Sequence, residues 1–168
     1  MKILIVGMGS IAKKHISALQ SIVPHVEILA LRSARQSVGY PGVKNIYSLN
    51  EISNVKIDFA IISNPTSEHK KTITQLVPFA FPLFIEKPLH STLEIEELVN
   101  LICQKNILTY VACNLRFLDS IKFVKSQMQA ASNKRLNEVN VYCGSYLPEW
   151  RPGADFRKSY SANIQQGG

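Results

Sequence analysis

Four short stretches of the chain hold residues whose types and spacing could do chemistry. The first is Gly7-Met8-Gly9-Ser10-Ile11-Ala12, which follows the apolar Lys2–Val6 and precedes Ile16, Leu19 and Val23 at helical spacing. A strand running through such a turn into a helix makes a grip for a dinucleotide. Gly7 permits the tight turn, Gly9 lets the backbone approach a pyrophosphate, and Ala12 stands for the third glycine, where helix and strand lie close. Free N–H groups and the positive end of the helix dipole face the anion. Gly7, Gly9, Ser10 and Ile11 are therefore candidate cofactor contacts.

The second stretch, Leu31-Arg32-Ser33-Ala34-Arg35, ends the next apolar run. A carboxylate there would hold the ribose hydroxyls of NAD, whereas arginine accommodates the 2′-phosphate of NADP. Arg32, Ser33 and Arg35 thus predict NADP in preference to NAD. Asn64-Pro65-Thr66-Ser67-Glu68-His69 is the third stretch, at the carboxyl end of the apolar Ile57–Ser63, where open α/β sheets bind ligands. Asn64 and Pro65 are expected beside the nicotinamide ribose, Thr66 or Ser67 is expected to cap the following helix, and His69 is a further candidate contact. The fourth, Glu86-Lys87-Pro88, follows Leu83-Phe84-Ile85. Lys87 can hydrogen-bond a hydroxyl that is losing hydride and share in its proton transfer, with Glu86 orienting it and itself a candidate cofactor contact. Each stretch also has an ordinary reading as a structural turn or a solvated loop.

The elements that position these residues alternate. Strands are predicted near Lys2–Val6, Val26–Leu31, Ile57–Ser63, Leu83–Glu86 and Ile107–Ala112, with helices between them. That order predicts an α/β fold, a Rossmann-type, doubly wound and mainly parallel sheet. The clearest helix is Thr92–Gln104, where Ser91 and Glu94 have capping-box spacing and Ile95, Leu98, Val99 and Ile102 form one stripe. Arg32–Lys44, with its Gly39-Tyr40-Pro41-Gly42 turn former, reads as a loop. A helix around Ser120–Gln129 precedes Asn137–Tyr146, whose alternation predicts a half-exposed strand. Leu147–Gly168, rich in Pro, Gly, Ser and aromatics, has no regular pattern.

With 46% hydrophobic and 18% charged residues, the 168-residue chain has the composition of a globular protein. No apolar run approaches the ~20 residues that span a bilayer, and the glycine turn at the end of the first strand argues against a cleaved leader. The net charge of +7 comes from scattered Lys and Arg, not a dense run interleaved with aromatics, so neither nucleic acid nor membrane is expected as a partner. Cys103, Cys113 and Cys143 are widely separated and lack ligand spacing, which predicts no metal site and a reducing, cytoplasmic setting.

Together these motifs resemble the Gfo/Idh/MocA family of sugar and cyclitol oxidoreductases. The resemblance rests on Gly7-x-Gly9 with His15 downstream, Asn64-Pro65 with His69, Glu86-Lys87-Pro88, and Asn114-Leu115-Arg116-Phe117 after the Ile107–Ala112 strand. The stretch from Tyr146-Leu-Pro-Glu-Trp150 to Tyr160-Ser161-Ala162 is similar to members acting on nucleotide-linked or acidic sugars. The resemblance implies Lys87 as the catalytic residue, Asn114 and Arg116 with Lys87 at the substrate, and a cis Lys87–Pro88 bond. It also implies a boundary, with a cofactor domain over 1–117 and an incomplete start of an α+β substrate and oligomerisation domain over 118–168. Relatives continue past the point where this chain ends and supply a histidine there, so the fragment is expected to bind cofactor with little sugar dehydrogenation. The implied whole is a homo-oligomeric NAD(P)-dependent oxidoreductase of sugar or nucleotide-sugar substrates. The rival readings are a non-catalytic dinucleotide-binding module and an interaction protein using the Tyr142–Trp150 edge.

Overall fold

A computed structural model describes residues 1–36, 38–130, 138–150, 152–153 and 155–167. Six parallel strands form its sheet: β1 (Lys2–Val6), β2 (Glu27–Leu31), β3 (Val43–Ile46), β4 (Phe59–Ile62), β5 (Leu83–Ile85) and β6 (Thr109–Val111), in the order β3-β2-β1-β4-β5-β6. The helices are α1 (Ser10–Ile22), α2 (His69–Leu76), α3 (Glu96–Gln104) and α4 (Asp119–Ala130). This is the doubly wound order, and the chain reverses direction of travel across the sheet between β1 and β4.

Alternation along β1 divides the core. Ile3 and Ile5 join Ala12 and Ile16 of α1 on one face, while Leu4 and Val6 join Ile73 and Leu76 of α2 and Leu98 and Ile102 of α3 on the other. Ile3, Leu4 and Ile5 are all 0% exposed, so β1 is covered on both faces. At about 1.5–3 kcal/mol for each fully buried large side chain, this strand anchors the layers. Ala12 is also 0% exposed, which meets the demand for a small residue where α1 crosses the sheet.

Four sequence expectations are corrected. Val43–Ile46 is a strand, where Arg32–Lys44 reads as loop: four residues with Lys44 and Asn45 among them carry too little alternation to announce themselves, yet Ile46 is buried and β2 supplies the pairing. The helix expected from Thr92 begins at Glu96, with Ile95 as its N-cap and no side-chain cap. His90 Nδ1 accepts from the Thr92 N–H at 3.1 Å and Thr92 Oγ1 from the Glu94 N–H at 3.4 Å. These local bonds hold the chain in a turn in place of a helical start. Residues 138–146 form no strand, and Asn137 lies outside the described residues. Val141 and Tyr142 are 84% and 99% exposed, and no neighbouring strand among the described residues offers a ladder, so apolar alternation alone does not make a strand. For the same reason no strand edge is found over the described part of 142–150. The patternless tail folds into short 3-10 turns at Leu147–Glu149, Phe156–Lys158, Tyr160–Ala162 and Ile164–Gln166.

Gly7 sits at the crossing point with φ +88°, and a Cβ there would lie 2.6 Å from Asn64 N and 2.7 Å from Asn64 Cα. Both the left-handed backbone and the clash oppose any side chain. Gly7→Ala is expected to destabilise the fold by more than about 2 kcal/mol, read as a lowered urea midpoint at constant slope. A midpoint within error of the parent would contradict this packing.

Candidate functional site

Two cavities open at the carboxyl ends of the strands and share Gly7, Met8, Asn64 and Pro65 between them. The first, about 470 Å³, runs over the glycine turn toward β5 and is bordered by Ser10, Ile11, Lys14, His69, Glu86 and Lys87. The second, about 890 Å³, lies toward β2 and β3, against Arg32, Ser33, Tyr47, Glu68, Lys71 and Gln75. Each cavity falls in the 300–1,000 Å³ range of ligand sites.

The α1 N-terminus borders the first cavity. Its N-cap is Gly9, with no side-chain cap and no acidic residue in the first turn, and the first helical bond runs from Lys13 N–H to Gly9 O at 3.2 Å. The N–H groups ahead of Lys13 remain available to an anion. A Cβ on Gly9 would meet nothing within 4 Å, so its open side faces the cleft. Asn64 donates from Nδ2 to Thr72 Oγ1 at 2.8 Å, which leaves its buried Oδ1 without a partner among the described residues. A free N-terminus, an open glycine face and an orphaned amide oxygen together fit a dinucleotide bearing phosphates and ribose hydroxyls.

Most of the expected residues converge. Gly7, Gly9, Ser10, Ile11, Asn64, Pro65, His69, Glu86 and Lys87 border the first cavity, Arg32 and Ser33 the second, and the Lys87–Pro88 bond is cis. Arg35 does not reach either cavity; its carbonyl accepts from Tyr47 Oη at 3.2 Å. Asn114 and Arg116, exposed on the 3-10 turn Asn114–Phe117 after β6, are likewise not brought into the cleft. Neither Thr66 nor Ser67 caps α2 through its side chain. Thr66 instead is buried, and its Oγ1 meets Tyr160 Oη from the C-terminal turns.

His69 is a brace within the cleft wall. It is 1% exposed; its Nε2 lies 3.0 Å from Asn64 O, and its Nδ1 lies 3.1 and 3.2 Å from Pro88 O and Leu89 O. Both nitrogens face backbone carbonyls, so the ring ties the loop after β4 to the turn after β5. Glu86 takes His15 as its partner, Oε1 to Nε2 at 2.7 Å, where the sequence reading gave it to Lys87. The His15 ring in turn packs edge-on against Phe84, centroids 5.4 Å apart.

Sequence reasoning missed Lys14, Lys71, Trp150, Tyr160 and Ser161 as cleft residues. Lys71 and Gln75 had a findable signal, since they stand one helical turn apart on the face of α2 that follows the Asn64 loop. The C-terminal residues had a signal only in the resemblance of that stretch to members acting on nucleotide-linked or acidic sugars, and no local pattern places them, because the tertiary fold returns them to the glycine turn. There, Tyr160 Oη donates to Gly167 O at 3.0 Å.

Residues 1–113 match the family model described as an oxidoreductase family with an NAD-binding Rossmann fold, Gfo/Idh/MocA. Among solved structures, the WlbA dehydrogenase of Chromobacterium violaceum, in complex with NADH and UDP-GlcNAcA, matches at 21% identity with a TM-score of 0.68, over 77% of this chain and 40% of that one. The Bordetella pertussis WlbA dehydrogenase, in complex with the same two molecules, matches at 18% and 0.69, over 77% and 42%. The scyllo-inositol dehydrogenase of Lactobacillus casei, with bound NAD(H) and scyllo-inositol, matches at 23% and 0.66, over 79% and 42%. At these identities the likeness shows the fold, and the chain spans about two fifths of the length of these structures. No curated protein matches.

The two glycines of the turn separate stability from binding. Gly9→Ala is expected to cost no more than about 1 kcal/mol of stability, because its Cβ enters open space, while weakening dinucleotide affinity at least about tenfold. Calorimetric titration beside a denaturation curve reads both quantities, and unchanged affinity would remove the glycine turn from the binding site.

Proposed function

Because the chain belongs to the Gfo/Idh/MocA oxidoreductases with an NAD-binding Rossmann fold, we propose that it is the cofactor-binding part of an enzyme that dehydrogenates sugar or nucleotide-sugar alcohols. The observation that carries the reading is the pair of cavities joined across Gly7, Met8, Asn64 and Pro65, with Lys87 on the wall of one and Arg32 on the wall of the other. That pairing fits the two halves of a dinucleotide held at its pyrophosphate by the α1 N-terminus. When bound, the nicotinamide accepts or returns hydride. Lys87 donates a hydrogen bond to the substrate oxygen and exchanges its proton. Asn114 and Arg116, outside the cleft, serve parts of the substrate that project beyond it.

For the cofactor we propose NADP over NAD. Arg32 and Ser33 border the β2 side of the second cavity and no carboxylate stands at that strand end, while Lys71 adds a cation from α2. Glu68, on the same wall, is the opposing charge that keeps the preference finite. The solvent-facing apolar row Phe117, Ile121, Val124 and Met128 supports assembly as a homo-oligomer through the C-terminal region. The exposed free thiols Cys103, Cys113 and Cys143 support a reducing cytoplasm. No helix among the described residues is long and apolar enough to cross a membrane.

Calorimetry tests the cofactor. NADPH is expected to bind more tightly than NADH, and Arg32→Ala to reduce that preference about tenfold or more, as for loss of a charge-assisted phosphate contact. Equal affinities, or a preference untouched by Arg32→Ala, would overturn the NADP assignment, and binding of neither would overturn the function. Turnover by the 168 residues alone is expected to be low, because His69 is 1% exposed with its ring nitrogens turned toward backbone carbonyls, and no other imidazole borders the Lys87 cavity among the described residues. Loss of an acid–base partner costs about 10²–10⁴-fold. Rapid, Lys87-dependent oxidation of a sugar would contradict this.

A further inference from the structure

We infer that Glu86 makes the cleft discriminate between the two charge states of the nicotinamide ring, favouring the oxidised cofactor over the reduced one. The inference rests on the dinucleotide reading above. Oxidised nicotinamide is a pyridinium with a unit positive charge, and the reduced ring is neutral, so a fixed charge in its cavity acts on one form only. Three charged side chains border the first cavity among the described residues: Lys14, Glu86 and Lys87. Lys14 and Lys87 are exposed and screened by water, whereas the Glu86 side chain is 13% exposed. A charge withdrawn from solvent keeps more of its field than one immersed in it.

The carboxylate is also fixed in place. The Glu86 N–H donates to Ile62 O at 2.9 Å, which continues the pairing of β4 with β5 past the strand end. Its Oε1 is held 2.7 Å from His15 Nε2, and Phe84 sets the His15 ring. His15 borders neither cavity, so it holds the carboxylate from outside the cleft while Glu86 itself lines it.

The test is a comparison of dissociation constants for the oxidised and reduced forms of one dinucleotide, NADP⁺ and NADPH, on the full 168-residue chain, its Glu86→Gln variant and its His15→Gln variant. Glu86→Gln is expected to weaken the oxidised form about tenfold relative to the reduced form. His15→Gln, which keeps a donor for Oε1 and removes any cation, is expected to leave the ratio at its parent value or to move it further toward the oxidised form. An unchanged ratio in Glu86→Gln, or equal weakening of both forms, would overturn the inference while the dinucleotide reading stands. A His15→Gln ratio that falls as far as that of Glu86→Gln would overturn it too, since geometry and not charge would then be the cause. If the parent chain binds neither form, the dinucleotide reading fails and the inference fails with it.

Discussion

Where β1 ends, Gly7 lies so close to the backbone of Ser63 and Asn64 that no side chain fits between them, and the rest of the cleft is arranged around that approach. The Ser63 N–H donates to Val6 O at 2.9 Å and its Oγ donates to the same carbonyl at 3.1 Å, so β1 and β4 are laced together up to the point where their chains diverge. The divergence is what creates a crevice at a sheet whose order reverses there. The α1 helix leaves from one lip and the Asn64 loop from the other. Because both cavities include the residues of this contact, the position of one fixes that of its neighbour.

Around the contact, polar groups are distributed as an anion would require. The α1 N-terminus carries neither a side-chain cap nor an acidic first turn, so its dipole is left uncompensated by the protein. Lys14 and Lys87 border the cleft on one side, and Arg32 and Lys71 on the other. Two carboxylates stand among them, Glu86 on the first cavity and Glu68 on the second. A uniformly basic groove would hold any polyphosphate, whereas placed negative charges are the means by which a groove discriminates among what is attached to one.

The sequence made the centre of this arrangement legible and its margins obscure. β1, the glycine turn and α1 could be read because strand period, turn residues and helix period follow one another without a break. The strand ends bearing Asn64 and Lys87 were legible for the same reason: an apolar run stopping at a polar residue marks where a parallel strand leaves the core. β3 was obscure because it is short and at the edge, with its identity supplied by β2 and not by its own residues. The start of α3 was misread because Ser91 and Glu94 satisfy a spacing rule while His90 and Thr92 satisfy the actual N–H groups. The His15–Glu86 pair spans 71 residues of sequence and the Thr66–Tyr160 contact spans 94, and no local pattern encodes such partners. The alternation across 138–146 shows the converse, a local pattern with no partner strand among the described residues.

The His69 ring joins two loops that the chain separates by a whole helix and a strand. Its Nε2 lies 3.0 Å from Asn64 O and its Nδ1 3.1 and 3.2 Å from Pro88 O and Leu89 O, so one ring bridges the loop after β4 and the turn after β5. A lysine on an isolated surface turn would wander on the nanosecond scale of exposed side chains and loops. Here the residues directly after it face α2, whose first residue is that same histidine. The wall of the cleft behind Lys87 is thus a clasp, two separate lengths of chain closed on one imidazole.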